Sequence, residues 1–206
     1  AQSFGSTYNN ISDSNLGDLS ITSFFPSKPL GCYGDGGAVF TNNFDYAEKL
    51  KMLRVHGQEK RNHHKYIGIG GRMDTLQAAV LVAKLPYFAK ELIDRQKVAK
   101  LYSNSFSGIL ITPAIKVGRS STWAQYTLKV RNRDDLQLKL KKCGIPTSIF
   151  YPVPLHLQEC FKYLQYKKGN FSISEKASKE VISLPMNPFL TKDQVDFIIL
   201  KIKENL

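Results

Sequence analysis

Residues 23 to 37 read SFFPSKPLGCYGDGG, and the first of them belong to a run of β-branched and aromatic residues, Ile21 to Phe25. Such a run is typical of a β-strand, whereas the glycines and prolines that follow exclude a helix or a regular strand. A second strand is predicted over Ala38 to Thr41. The sequence therefore predicts a strand, a structured loop and a second strand, with Lys28 inside the loop.

Lys28 has two interpretations. A lysine that loses part of its hydration can lose its proton and act as a nucleophile towards carbonyl groups. Ser23, at the end of the preceding strand, supplies a hydroxyl that suits a phosphate oxygen, and this arrangement is typical of an anchor for pyridoxal phosphate. The alternative is an ordinary solvated surface charge, which is what most lysines are.

Two further motifs have plain alternatives. The backbone N–H groups of Gly34 to Gly37 could approach a phosphate, but the cluster lacks the lysine of a P-loop, and a tight turn is favoured. His56, His63 and His64 lie in a basic stretch without the spacing of metal ligands, so no metal site is predicted. A solvated basic loop is favoured over a nucleic-acid surface, because only one aromatic residue lies nearby.

Hydrophobic periodicity predicts helices after the second strand. One begins after Asn43 and ends before Gly57, and a polar basic connection follows over Gln58 to Lys65. A longer helix is predicted from about Asp74 to Phe106, with a kink or break at Pro86.

The remainder of the chain predicts a small α/β unit. Its elements are a strand over Ala124 to Val130, a helix over Asp134 to Cys143, a strand over Thr147 to Tyr151, and helices over Ser174 to Ile182 and Thr191 to Ile202. The last helix opens with a capping box.

The composition limits the classes of function. The chain has 206 residues, 42% of them hydrophobic and 22% charged, which is typical of a folded protein and excludes disorder or a membrane span. A net charge of +12 indicates an anionic partner, either a phosphate-bearing metabolite or a nucleic acid. The three dispersed cysteines indicate a reducing compartment, and no secretory leader is recognisable, so we expect a cytoplasmic protein.

Four blocks of sequence carry a resemblance to a known family. They are AQSFG at residues 1–5, SFFPSKPLGCYGDGGAV at 23–39, RMDTLQAA at 72–79 and YPVPLH at 151–156. In this order they resemble the DegT-type nucleotide-sugar aminotransferases. The resemblance implies an α/β fold of pyridoxal-phosphate fold type I, with residues 1–105 forming the C-terminal part of the cofactor-binding large domain and residues 106–206 a small C-terminal α/β domain.

The resemblance also implies an activity. Members of this family are transaminases that carry pyridoxal 5'-phosphate as an aldimine on a lysine and transfer an amino group, usually from glutamate, to a keto-sugar linked to a nucleotide diphosphate. The implied role is surface-glycan biosynthesis by a homodimer with shared active sites. Neither a nucleic acid nor a membrane is expected as a partner.

The family's functional residues map onto positions of this chain. By resemblance, Lys28 forms the aldimine and shuttles a proton, Ser23 holds the cofactor phosphate, and Gln2 contacts the hydroxyl side of the pyridine ring. Imine formation needs an amine, and stabilisation of the reacting carbon needs a polarised ring.

Three other positions are implied near the active site. Gly70 stands where the family usually has an asparagine that reaches the partner's cofactor phosphate, and it could still offer a backbone N–H group. Arg72 and His156 are implied to contact substrate, with Arg72 reaching across the dimer. The alternatives are an ordinary interface charge for Arg72 and a packed side chain for His156.

The resemblance also brings departures and alternatives. The family's cofactor-binding aspartate would lie three residues before Gln2, ahead of Ala1, so we expect this chain to be the C-terminal portion of an enzyme and to fold poorly or associate when made alone. One alternative function is a non-transaminating relative, either a dehydratase or an inactive homologue. Another is a basic nucleic-acid-binding module built on Gln58 to Lys65.

Overall fold

The computed structural model describes residues 1–206, which form five α-helices and eight short β-strands. The helices are α1 (Phe44–Leu53), α2 (Thr75–Phe106), α3 (Arg133–Lys142), α4 (Ser172–Glu180) and α5 (Lys192–Glu204). The strands are β1 (Thr7–Tyr8), β2 (Ile11–Ser12), β3 (Ser20–Ser23), β4 (Gly37–Phe40), β5 (Gln58–Lys60), β6 (His63–His64), β7 (Tyr126–Lys129) and β8 (Val181–Leu184). They form four antiparallel two-stranded sheets, β1–β2, β3–β4, β5–β6 and β7–β8.

The chain divides into two compact units. The first comprises Ala1–Ile93 with Ile115–Ala124, and the second comprises Asp94–Ala114 with Gln125–Leu206. The division falls inside α2. The assignment of residues 1–105 and 106–206 to a large and a small domain stays a prediction.

The core of the first unit joins the β3–β4 hairpin to α2. Phe24, Leu30 and Cys32 from the hairpin pack with Leu81 and Phe88 from the helix. Around this cluster lie partly buried hydrophobic residues, which are Phe4, Ala38, Met73, Val80 and Leu92. The hairpin loop is therefore anchored from within by its own apolar side chains, each of which loses contact with water.

The helices of the first unit follow the predicted pattern. Asn43 caps α1, because its side-chain oxygen accepts a hydrogen bond from the N–H of Tyr46 at 3.0 Å. Pro86 lies inside α2 without ending it. The segment predicted as a polar connection forms the short β5–β6 hairpin, with Gln58 opposite His64 and Lys60 opposite His63.

The second unit packs helices α3 and α5 with the β7–β8 pair. The buried side chains include Leu128, Leu136, Leu140, Ile182, Val195, Ile198 and Ile202. Arg133 is also buried, and its guanidinium donates to the carbonyls of Val181 at 2.8 Å and Ser178 at 3.1 Å. This arginine supplies donors where α4 passes into β8, and an apolar side chain would leave these two carbonyls without those donors.

One predicted element of the second unit was wrong, and the end of another lies earlier than predicted. The strand predicted over Thr147–Tyr151 is reduced to a single bridge between Ser148 and Ser183. The flanking Pro146 and Pro152 have no N–H group to donate to a ladder. The helix predicted over Ser174–Ile182 ends at Glu180, because the β-branched run that follows pairs with β7 instead.

The other predicted features of the second unit agree with the structure. Thr191 and Gln194 form the reciprocal capping box at the start of α5. No helix in the whole chain is sufficiently long and apolar to cross a membrane.

The β3–β4 hairpin exposes an apolar face. Ile21 and Val39 lie opposite each other in the ladder, yet they remain 70% and 47% exposed. An antiparallel pair that shows such a face to water, with unpaired edges, is a template for association.

We therefore expect residues 1–206, expressed alone, to associate in solution. Light scattering after gel filtration should show species larger than a monomer, and the double variant Ile21→Thr, Val39→Thr should reduce them because threonine keeps the strand preference but removes apolar surface. Val117→Thr, a single apolar residue that is 99% exposed, is the matched control. A monodisperse monomer with a cooperative melt contradicts this expectation.

Candidate active site

The loop between β3 and β4 is closed by its own backbone. The N–H of Phe24 donates to the carbonyl of Gly36 at 2.7 Å, and the N–H of Cys32 donates to the carbonyl of Phe24 at 2.8 Å. A Cβ at Gly31 would lie 2.7 Å from the carbonyl oxygen of Pro26, so no side chain fits there. The thiol of Cys32 lies 2.9 Å from the carbonyl oxygen of Phe24. The loop is thus folded tightly back on itself, and the Gly34–Gly37 segment is its closing turn.

Lys28 lies at the first bend of this loop. Its N–H donates to the carbonyl of Phe25 at 2.9 Å, which fixes the backbone in a tight turn. The residue is half-buried, and its ammonium has no hydrogen-bond or ion-pair partner within the chain. Lys28 therefore combines a fixed backbone with a side chain that has no internal partner, which makes it a candidate nucleophile.

Ser23 ends β3 opposite Gly37, at the start of the same loop. Its hydroxyl oxygen accepts a hydrogen bond from the N–H of Phe25 at 3.2 Å. The oxygen is thereby oriented while its proton stays available for an anionic ligand. Ser23 and Lys28 thus lie at the start and at the first bend of one loop.

Gln2 is held from a distant part of the sequence. Its carbonyl accepts a hydrogen bond at 2.9 Å from the hydroxyl of Thr122, a residue only 1% exposed. Nearby, the N–H of Ser120 donates to the carbonyl of Thr7 at 2.9 Å, and the N–H of Asn9 donates to the carbonyl of Gly118 at 2.6 Å. Sequence reasoning missed Thr122, because nothing local indicates a contact across 120 positions.

Gly70 and Arg72 lie on the segment that leads into α2. Gly70 forms an isolated bridge with Val55, and a Cβ there would lie 3.1 Å from Cε1 of His56. An asparagine at this position would therefore need the imidazole of His56 to shift slightly. Arg72 is exposed, and its guanidinium has no partner within the chain.

His156 belongs to the second unit and is held internally. Its Nε2 lies 2.9 Å from Oε1 of Glu175, its side chain is only 7% exposed, and its ring packs on Phe171 with centroids 4.8 Å apart. This geometry favours the packed alternative, and a contact with substrate stays a prediction.

The structure thus places five predicted site residues in one unit and His156 in the other. Lys28 and Ser23 share one loop, while Gln2, Gly70 and Arg72 lie on separate segments of the first unit. No hydrogen bond or ion pair joins any two of these five residues. No group of three or more histidine, cysteine, aspartate or glutamate residues is placed to hold a metal ion.

The sequence model of the DegT/DnrJ/EryC1/StrS aminotransferase family matches residues 1–203. The chain belongs to this family, which confirms the resemblance of its four sequence blocks.

Individual relatives agree with this assignment. The UDP-2-acetamido-2-deoxy-3-oxo-D-glucuronate aminotransferase of Pseudomonas aeruginosa is 45% identical over 199 residues, which cover 96% of this chain and 55% of that protein. A protein of Geobacillus stearothermophilus named pleiotropic regulatory protein is 41% identical, with 99% of this chain and 56% of that protein covered. The chain spans about half the length of the curated relatives that it matches.

A solved structure shows the same fold. DesV of Streptomyces venezuelae, in complex with a ketimine intermediate, superimposes with a TM-score of 0.95 at 32% identity and covers 99% of this chain and 56% of its own. The predicted fold class, a partial fold-type-I chain, is confirmed.

Glu175 generates a prediction about pH. Burial raises the pKa of this carboxyl, but hydrogen bonds from the N–H of Gly169, from His156 and from the N–H of Phe171 outweigh burial, so the pKa lies below its ordinary value of 4.5. A lowered pKa in the folded state means that the ionised carboxylate stabilises the fold above the unfolded pKa, and that this contribution is lost as the pH falls.

Glu175→Gln should therefore be less stable than the parent at neutral pH, with a difference that shrinks below about pH 4. The variants are compared in the full-frame protein, by which we mean the complete protein encoded by the open reading frame that contains residues 1–206. Amide exchange at Gly169 and Phe171 measures the loss locally, and Glu159→Gln, whose side chain is 88% exposed, is the control. A difference that is constant from neutral to acid pH contradicts the assignment.

Proposed function

We propose that this chain supplies the lysine of a pyridoxal-phosphate-dependent transaminase that acts on a nucleotide-linked keto-sugar. One observation carries the proposal: Lys28 is half-buried, its side chain has no partner, and it stands on a loop closed by its own backbone. Membership of the family and the name of the Pseudomonas aeruginosa relative support the same reaction.

The donor set fits the cofactor. Pyridoxal phosphate, when bound, supplies an aldehyde and a conjugated ring that accepts electrons while an amino group moves. The hydroxyl of Ser23 donates to the phosphate, and Gln2 contacts the hydroxyl side of the ring. Gly70 offers a backbone N–H group to the phosphate of a neighbouring subunit.

Lys28 has two roles in this proposal. Its Nζ would hold the cofactor through the aldehyde carbon, with water as the leaving group, until an amino donor displaced it. When released, the amine would carry a proton from one carbon of the reacting pair to the other. Both roles need the amine near one place, and the closed backbone of the loop fixes the point from which the side chain extends.

The substrates are a nucleotide-diphosphate keto-sugar and glutamate, and both are anionic. The net charge of +12 and the unpartnered guanidinium of Arg72 suit a diphosphate or a carboxylate. His156 serves the substrate site in this proposal by holding its own segment in place through Glu175. The biosynthetic role is the assembly of surface glycans.

The active enzyme in this proposal is a homodimer with shared active sites. Around Arg72 the chain exposes Ile67, Ile69 and Leu76 at 101%, 70% and 80%. Such an apolar cluster beside a functional arginine is typical of a surface that a second copy covers. The three cysteines are all free, which supports the cytoplasm as the compartment.

Two alternatives have specific observations behind them. A non-transaminating relative, either a dehydratase or an inactive homologue, is suggested by Gly70 and by the relative named a pleiotropic regulatory protein. A nucleic-acid-binding module is suggested by the β5–β6 hairpin, on which Lys60, Arg61 and His63 are exposed.

Lys28→Ala in the full-frame protein tests the proposal. We expect amino transfer from glutamate to a keto-sugar nucleotide to fall about a thousandfold, since a positioned acid or base contributes about 100 to 10,000-fold. Pyridoxal phosphate followed by borohydride should label the Lys28 peptide in the parent and not in the variant. Lys100→Ala, an exposed lysine on α2, should behave as the parent.

Three outcomes contradict the proposal. An unlabelled Lys28 in the parent shows that this lysine does not hold the cofactor. Label without amine product supports the non-transaminating relative. If the parent retards DNA or RNA in a gel in a salt-dependent way, and the double variant Lys60→Ala, Arg61→Ala does not, the nucleic-acid-binding module is supported instead.

A further inference from the structure

One face of α2 carries alternating polar and apolar residues that meet the lysine loop. Gln77, Leu81, Lys84 and Phe88 are spaced by three or four positions and therefore lie along the same side of the helix. Leu81 and Phe88 belong to the buried cluster that includes Leu30 of the loop. The two polar residues on this face are therefore brought against the loop by the packing of their apolar neighbours.

Both polar residues bind backbone atoms of the loop. The Nζ of Lys84 donates to the carbonyl of Gly31 at 2.5 Å, and the Oε1 of Gln77 accepts from the N–H of Tyr33 at 2.8 Å. A Cβ at Gly34 would lie 3.0 Å from Nε2 of Gln77, so the loop passes close to this side chain. Helix α2 thus holds the half of the loop that leads to β4 through two hydrogen bonds, one at Gly31 and one at Tyr33.

The carbonyl that Lys84 binds lies close to Lys28 in sequence. The incoming half of the loop is fixed by the bond from the N–H of Lys28 to the carbonyl of Phe25. Because the Lys28 side chain has no hydrogen-bond or ion-pair partner of its own, the backbone on either side of it sets the point from which the side chain extends. On the C-terminal side of Lys28, the hydrogen bond from Lys84 to the carbonyl of Gly31 is the nearest one that joins the loop backbone to another element.

We propose that Lys84 is a positioning residue for Lys28, with Gln77 as its helper on the same helix face; this inference rests on the proposed function of Lys28. The ammonium of Lys84 keeps the Gly31 carbonyl in place, and the tight turn transmits that position to Lys28. Lys84 touches neither cofactor nor substrate in this role.

The test uses three variants of the full-frame protein. Lys84→Met keeps the length of the side chain but removes the donor, whereas Lys84→Arg keeps a charged donor. Lys100→Met removes an exposed lysine from the same helix and is the control. Lys84→Met should lower kcat about tenfold with little change in KM, since misplacing a reacting group by about 1 Å costs up to about a hundredfold. Lys84→Arg should restore most of kcat.

A second readout does not depend on the cofactor. Cys32 is 1% exposed and lies next to Gly31, so loosening of the loop should expose its thiol. In protein free of cofactor, alkylation of Cys32 should be about tenfold faster in Lys84→Met than in the parent, because exchange-type reactions follow the population of the open form. Mass spectrometry reads the modified peptide, and the exposed Cys160 provides the reference rate.

The outcomes separate the two proposals. If Lys28 of the parent is not labelled by pyridoxal phosphate and borohydride, the proposed function fails, whatever Cys32 does. If Lys28 is labelled but Lys84→Met matches Lys100→Met in kcat and in Cys32 alkylation, the positioning role is wrong. Faster alkylation of Cys32 with an unchanged kcat also overturns it, because Lys84 then only stabilises the loop.

Discussion

Gly31 passes so close to the carbonyl oxygens of Phe25 and Pro26 that a Cβ at this position would lie 2.8 and 2.7 Å from them. This close approach lets the loop turn back so that Cys32 can bond to the backbone of Phe24. The same fold-back directs Leu30 and Cys32 into the core beside Leu81. The position of Lys28 and the packing of the first unit thus depend on one steric condition.

Much of the fold follows from local signals in the sequence. The strand, loop and strand around Lys28, the helix that begins after Asn43 and the capping box at Thr191 are decided by residues within a few positions of one another, and the structure confirms all three features. Where local and long-range preferences compete, the local prediction fails. The segment Val181–Leu184 was predicted in part as helix, but pairing with β7 makes it a strand.

The candidate site, like the fold, has a part that local sequence predicts and a part that depends on contacts between distant segments. Lys28 and Ser23 could be proposed from the sequence because they share one loop, and the family resemblance supplied the other candidate residues. The residues that hold this site were not found. Thr122 contacts Gln2, Lys84 contacts Gly31 and Glu175 contacts His156, and each of these contacts exists only once distant segments have packed. No periodicity or spacing encodes such a pair, so only a three-dimensional structure reveals it.

The bond between Thr122 and Gln2 joins residues 120 positions apart. During synthesis at about 5–20 residues per second, the ribosome needs roughly 6 to 24 s to make the chain between them. The segment that carries Gln2 therefore waits, without its anchor, while the loop of Lys28 and then α2 emerge and pack. A nascent chain that stopped before Thr122 would already contain the loop of Lys28 but would lack the hydrogen bond that holds the backbone of Gln2, so this contact forms late in translation.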